Sequence, residues 1–190
     1  MIRARRVAVV LLVLLTAGCA IFESRAKEDT PTNVNVSEIS AGYALLYDLV
    51  SKEKQSSLLT IIKKVSPELK SLLERISETS KATATDLEAL ARTNPPLNLK
   101  VTRLPRIERA ARESIENAAS KDILHSKGVD LEVNVVSSQL AGMNYAVHLT
   151  RSLAVVETNP RRKEFLQRTD RNFSEPRGQV YKMLFTRYQR

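Results

Sequence analysis

Few side chains in this sequence could do covalent or acid–base chemistry. Cys19 is the single cysteine, and His125 and His148 are the two histidines. A thiol serves as nucleophile, metal ligand or modification site, according to what surrounds it. Cys19 stands directly after Leu15-Thr16-Ala17-Gly18 and has no second thiol to pair with. His125 follows Asp122 at i+3, which puts both on one side of a helix. A di-metal site built in a helix bundle needs two Glu-x-x-His pairs and two further Glu. Here there is one imperfect pair. His125 reads more simply as a polar residue in a last helical turn, where an imidazolium suits the helix dipole. His148 reads as a residue at the edge of a core or in solvent. Tyr43 and Tyr47, at i and i+4, read as core and rim packing. A Ser-His-Asp triad can assemble from distant positions, but no Gly-x-Ser-x-Gly elbow, His-Glu-x-x-His pair or Gly-rich phosphate loop supports one. The expectation is no catalytic residue, no metal site, no cofactor and no small-molecule substrate.

The surroundings of Cys19 are more telling. Arg3, Arg5 and Arg6 make a positive start, Val7 to Leu15 is an unbroken apolar run, and Thr16-Ala17-Gly18 are small. That is the order of a secretory signal. Val7 to Gly18 is twelve residues, against the roughly 20 that a transmembrane helix requires. A retained anchor helix is therefore the weaker reading. An ordinary signal peptide with an incidental cysteine is the other alternative. With Cys19 closing the small-residue box, the segment resembles a bacterial lipoprotein signal with a lipobox, Leu15 to Cys19. Thr16 departs from that pattern, standing where the family usually has Leu. The resemblance implies cleavage before Cys19, diacylation of its sulfur and acylation of the new amino group. It also implies a membrane partner through lipidated Cys19. Ala20, in place of Asp, implies sorting to the outer membrane, facing the periplasm. The rest of the chain has no cysteine, which suits an oxidising compartment.

Charge is informative once divided. The chain has 30 basic and 21 acidic residues, net +9. Three of the arginines lie in the signal, and residues 20–160 hold 18 of each sign. The last thirty residues hold nine basic and three acidic ones. Arg161, Arg162, Lys163, Arg168 and Arg171 open that stretch and form the candidate binding face. Polarised charge suggests an anionic partner. Nucleic acid is the first guess for a cytosolic protein, but an exported lipoprotein rarely meets it. An anionic envelope surface or an acidic protein fits better. The plain alternative is a solvated face that aids solubility.

The elements that must carry these residues follow from hydrophobic spacing. Residues 1–18 are the signal, 19–36 a flexible tether, and 37–190 a single domain. Thr30, Pro31, Thr32 and Asn33 break any helix in the tether. Its residues 20–35 reach at most about 55 Å when extended. A first helix is expected from Ser37 to about Lys64, loosened at Ser51–Ser57. Ser66-Pro67-Glu68 restarts the chain as N-cap, first-turn proline and first-turn acid, and that helix ends near Asn94-Pro95-Pro96. A third runs over 106–125, with Ile107, Ala110, Ala111, Ile115, Ala118 and Leu124 on one side. A fourth opens near Asp130 and runs to about Thr158, with Ala141, Gly142 and Ala146 permitting close approach of a neighbour. Asn159-Pro160 starts a fifth to about Asn172, and Ser174-Glu175-Pro176 separates it from a last. Four long amphipathic helices plus short C-terminal ones make an all-α, up-and-down bundle. Residues 97–103 and 129–135 also alternate with strand period, so an α+β domain with a two-stranded ribbon is the alternative.

In outline the order of features is similar to a bacterial envelope family of unknown function with a ferritin-like four-helix bundle. The segment PELKSLLERISETSKATATDLEALA, the proline loop, the glycine-led long helix from Gly128 and the closing helices carry the resemblance. That family has histidines after acidic residues on three helices, which implies a metal site. Here Glu78-Thr79-Ser80 stands at the matching place, and the final helices hold no histidine. Two functions are carried forward. One is a non-enzymatic binding or structural module of the envelope. The other is a ferritin-like metal-binding or redox protein with a degenerate site.

Overall fold

A computed structural model describes residues 36–101 and 104–187. The signal, Cys19 and nearly all of the tether lie outside the described residues. So do positions 102 and 103 of the first alternating run.

Six helices follow in order: α1 (Val36–Glu53), a 3-10 turn (Ser56–Leu58), α2 (Leu59–Ile62), α3 (Pro67–Ala91), α4 (Arg106–His125), α5 (Gly128–Val156) and α6 (Pro160–Arg187). The described residues contain no strand, so the bundle is all-α and the ribbon is not formed. Positions 129–135 lie inside α5. Their alternation is incidental to a helical spacing that continues through Val136, Met143, Val147 and Leu153, all buried.

Four helices make the core. α1 packs on α3 and α5, and α6 packs on α3 and α5. Every neighbouring pair is antiparallel, as short connections require. Tyr43, Leu46, Leu73, Ile76, Leu87, Val136, Met143, Leu166 and Phe173 fill the middle. α1 and α5 approach closely. A Cβ on Gly42 would lie 2.5 Å from Cδ2 of Leu153, and one on Gly142 would lie 2.8 Å from Oε1 of Glu53. Gly142 thus serves the close approach expected of it.

Three expectations need correction. The first helix does not run to Lys64. It ends at Glu53, and the polar stretch from Lys54 to Ser57 forms a turn in which Ser57 Oγ donates to Ser77 Oγ and Ser77 Oγ to the Lys54 carbonyl. α4 has the expected bounds but no buried residue. Ile107 and Ile115 are 85 % and 69 % exposed, because α4 lies outside the core, leaning mainly on α5 and tied to α1 by the Lys52–Glu116 pair at 2.6 Å. The chain's end is not a pair of short helices. α6 runs unbroken through Pro176. A proline inside a helix costs about 3 kcal/mol, and burying a large apolar side chain contributes about 1.5–3 kcal/mol. Phe173, Pro176 and Val180 are all buried on one stripe, so packing outweighs the lost hydrogen bond.

The two ends of the bundle differ. At one end are the start of α1, the end of α3 and the α5–α6 turn. There Ser40 Oγ accepts from the Asn98 N–H and Tyr43 reaches Glu157. At the other end are the α1–α3 connection, the α4–α5 turn and the last turns of α6. There Lys63 Nζ donates to the carbonyls of Leu124 and Ser126, and Glu132 accepts the Ser66 N–H.

Candidate binding face on the last helix

The first turns of α6 place the five basic candidates by simple periodicity. Phe165, Leu166, Thr169 and Phe173 point inward, and position 162 lies on the same side, one turn earlier. Arg162 is accordingly 3 % exposed. Its N–H donates to Oδ1 of Asn159 at 3.2 Å, and its guanidinium donates to the carbonyl of Pro95. Arg162 therefore leaves the candidate face and becomes part of the fold. The signal for this was present in the sequence, in the apolar residues three and four places on.

Beside Arg162 lies a buried polar cluster. Tyr43 Oη donates to Oε2 of Glu157 at 2.8 Å, and Oε1 of Glu157 accepts the Asn159 N–H at 2.9 Å. Burial and the Glu157 carboxylate push the Tyr43 phenol well above its ordinary range, while the Arg162 charge pulls the other way. Nε of Arg162 has no partner. The cluster ties the start of α1 to the α5–α6 turn. Tyr47 is half-buried at the rim, donating to Glu88 at 2.6 Å. Both tyrosines are packing residues, as their spacing suggested.

The remaining candidates are exposed, and they divide in two. Arg168 donates to Oδ2 of Asp86 on α3 at 2.8 Å and lies 5.9 Å from the Phe165 ring centroid. The side chains of Arg161, Lys163 and Arg171 make no hydrogen bond or ion pair with any described residue. A groove of about 200 Å³ runs between α3 and α6, bordered by Asp86, Leu90, Arg161, Glu164, Phe165 and Arg168, so one exposed acid stands among the cations of this turn. Further along α6, Glu175 is paired with Arg75 at 2.9 Å, and Asp170 with Arg151 at 3.0 Å. The acids of α6 past its second turn are therefore engaged with α3 and α5, and Arg161, Lys163 and Arg171 remain free.

The histidines are not brought together with other ligands. His125 is exposed, with Nδ1 2.7 Å from the Lys121 carbonyl in the last turn of α4. His148 is exposed on α5. Among the described residues no three His, Cys, Asp or Glu side chains converge as metal ligands. Ser80, in the Glu78-Thr79-Ser80 stretch of α3, is fully buried. Among the same residues no helix is long and apolar enough to cross a membrane. No family model, curated protein or solved structure matches the chain.

Proposed function

We propose that this chain is a lipid-anchored module of the bacterial envelope, non-enzymatic, whose helical body binds an anionic surface through the basic residues exposed along the first turns of α6. Cys19 supplies the anchor, and the tether lets the body stand off the membrane. The observation that carries the binding part is the division of charge on α6. Its acids at 170 and 175 are held by α5 and α3, and Arg161, Lys163 and Arg171 are exposed and unpaired. Exposed cations with no internal partner retain their full attraction for external anions, screened over about 8 Å at physiological salt. Peptidoglycan carboxylates are an anionic surface within reach of a protein tethered to the outer membrane.

The test is co-sedimentation with purified peptidoglycan at low and physiological salt. The chain starting at Ala20 is suitable, since among the described residues every buried core residue lies at 43 or beyond. Salt-sensitive binding that falls at least tenfold in an Arg161→Gln, Lys163→Gln, Arg171→Gln variant supports the reading. Equal binding by that variant removes α6 as the docking face. Arg162 is left unchanged, because its loss would disturb the fold.

A further inference from the structure

Helix α4 is held differently from its neighbours. α1, α3 and α5 each bury a row of residues, and none of the 20 residues of α4 is buried. On its inner side Arg112, Ala119 and Ile123 are half-buried, and Ile123 packs against the core. The other ties of α4 to the body are polar and lie at the surface. Lys52 Nζ donates to Oε1 of Glu116 at 2.6 Å, and both side chains are about half exposed. The Arg112 guanidinium donates to Tyr145 Oη at 3.3 Å and lies 5.3 Å from that ring's centroid. At the far end Lys63 Nζ donates to the carbonyls of Leu124 and Ser126.

The chain is pinned to the body on both sides of α4. Leu97 is buried and Leu99 packs on the core before it, and Leu131 is the first buried residue after it. The corner between α4 and α5 is open. Gly128 has a φ of +56°, and nothing lies within 4 Å of where its Cβ would be. Glycine takes up this backbone region without strain, which suits a pivot. Exposed ion pairs contribute little to stability. A helix of this length is marginal without tertiary packing. No buried core residue belongs to α4, so the four core helices keep their facing side chains when it leaves.

We infer that α4 is a strap that releases from the bundle as a unit, pivoting at the Gly128 corner, while α1, α3, α5 and α6 stay folded. Release breaks the Lys52–Glu116 pair, the Arg112–Tyr145 contact and the Lys63 bonds, and uncovers the sides of α1 and α5 that carry Lys52 and Tyr145. The freed segment, if it stays helical, is about 30 Å long. Elements with few buried contacts are the ones that open below the global unfolding free energy. Anything that grips only the released form shifts the balance toward it. The strap needs neither the Cys19 anchor nor the cations of α6, so it and the proposed function stand or fall separately.

Native-state hydrogen exchange of the chain from Ala20 tests the strap. Amides over residues 110–122 should exchange together, at least about a hundredfold faster than the slowest amides of α3 and α5. Their rates should depend little on denaturant below the unfolding transition, because release exposes little surface. Glu116→Gln should speed α4 exchange about two- to fivefold and leave α3 and α5 unchanged. Leu73→Ala, which weakens the core, should do the reverse, speeding the slowest α3 and α5 amides at least about tenfold and leaving α4 unchanged. Exchange of α4 at the rate of the slowest core amides overturns the inference. So does equal acceleration of α3 and α4 by Leu73→Ala, because α4 then opens only with the whole bundle. Exchange that slows progressively from one end of α4 to the other also overturns it, in favour of fraying.

Discussion

Tyr43 and Glu157 show how single residues set the fold's tolerance. The phenol donates 2.8 Å to a carboxylate that is itself 5 % exposed. Tyr43→Phe keeps the packing but strips a buried acceptor of its donor, which costs about 1–3 kcal/mol. Urea unfolding of the variant should show that loss with an unchanged slope. Glu53 behaves in the opposite sense. Its carboxylate lies against Gly142, desolvation raises its pKa, and a hydrogen bond from Gln139 only partly offsets this. The native state thus holds the proton more tightly than the unfolded chain. Its contribution to stability is full below the ordinary carboxylate range and is lost as pH rises through the raised native value. Glu53→Gln should match the parent at acidic pH and exceed it at neutral pH by about 1–2 kcal/mol, read from denaturant melts at both. The sequence ranked Arg161, Arg162 and Lys163 alike by charge. Charge does not reveal side-chain direction, and only the 3.6 period through Phe165, Leu166 and Phe173 separates Arg162 from its neighbours.

At the scale of elements, local signals were read well and placement was not. Ser66-Pro67 starts α3, and α4 has its expected bounds. Both starts depend on a proline, Pro67 at the first turn of α3 and Pro105 before α4, which acts locally; the expected cap is not made, since Ser66 Oγ has no partner. The role of α4 did not follow. An apolar stripe predicts a buried side, yet Ile107 and Ile115 face solvent, because whether a stripe finds a partner is decided by distant helices. Ile107→Ser and Ile115→Ser should each change stability by less than about 0.5 kcal/mol. Leu73→Ala, at a fully packed site of α3, should cost about 2–5 kcal/mol. Thermal melts of the three variants compare the two classes directly; a large loss from either Ile change would place α4 in the core. α6 shows the same limit in reverse. Pro176 reads as a breaker from sequence, and the burial of Phe173 and Val180 that overrides it is a tertiary effect.

The whole molecule has a direction. Its chain enters at one end, free cations stand exposed along the first turns of α6, and several exposed apolar side chains lie toward the far end. Under the proposed function, lipid at Cys19 would hold such a body at the membrane while the α6 cations meet a neighbouring anionic layer. The sequence revealed the fold class through helical spacing and the charge polarity through composition. The far-end placement of those apolar side chains was not legible, because it draws on three segments separated by more than fifty residues each. The central claim is that this body is tethered through lipid at Cys19, and mass spectrometry of the protein taken from bacterial membranes tests it most directly. The account predicts a mature chain beginning at Cys19 and carrying acyl groups on its sulfur and its amino group, and a Cys19→Ser variant that is neither acylated nor retained in the membrane fraction. A mature chain starting elsewhere, or one with an unmodified Cys19 thiol, would contradict it.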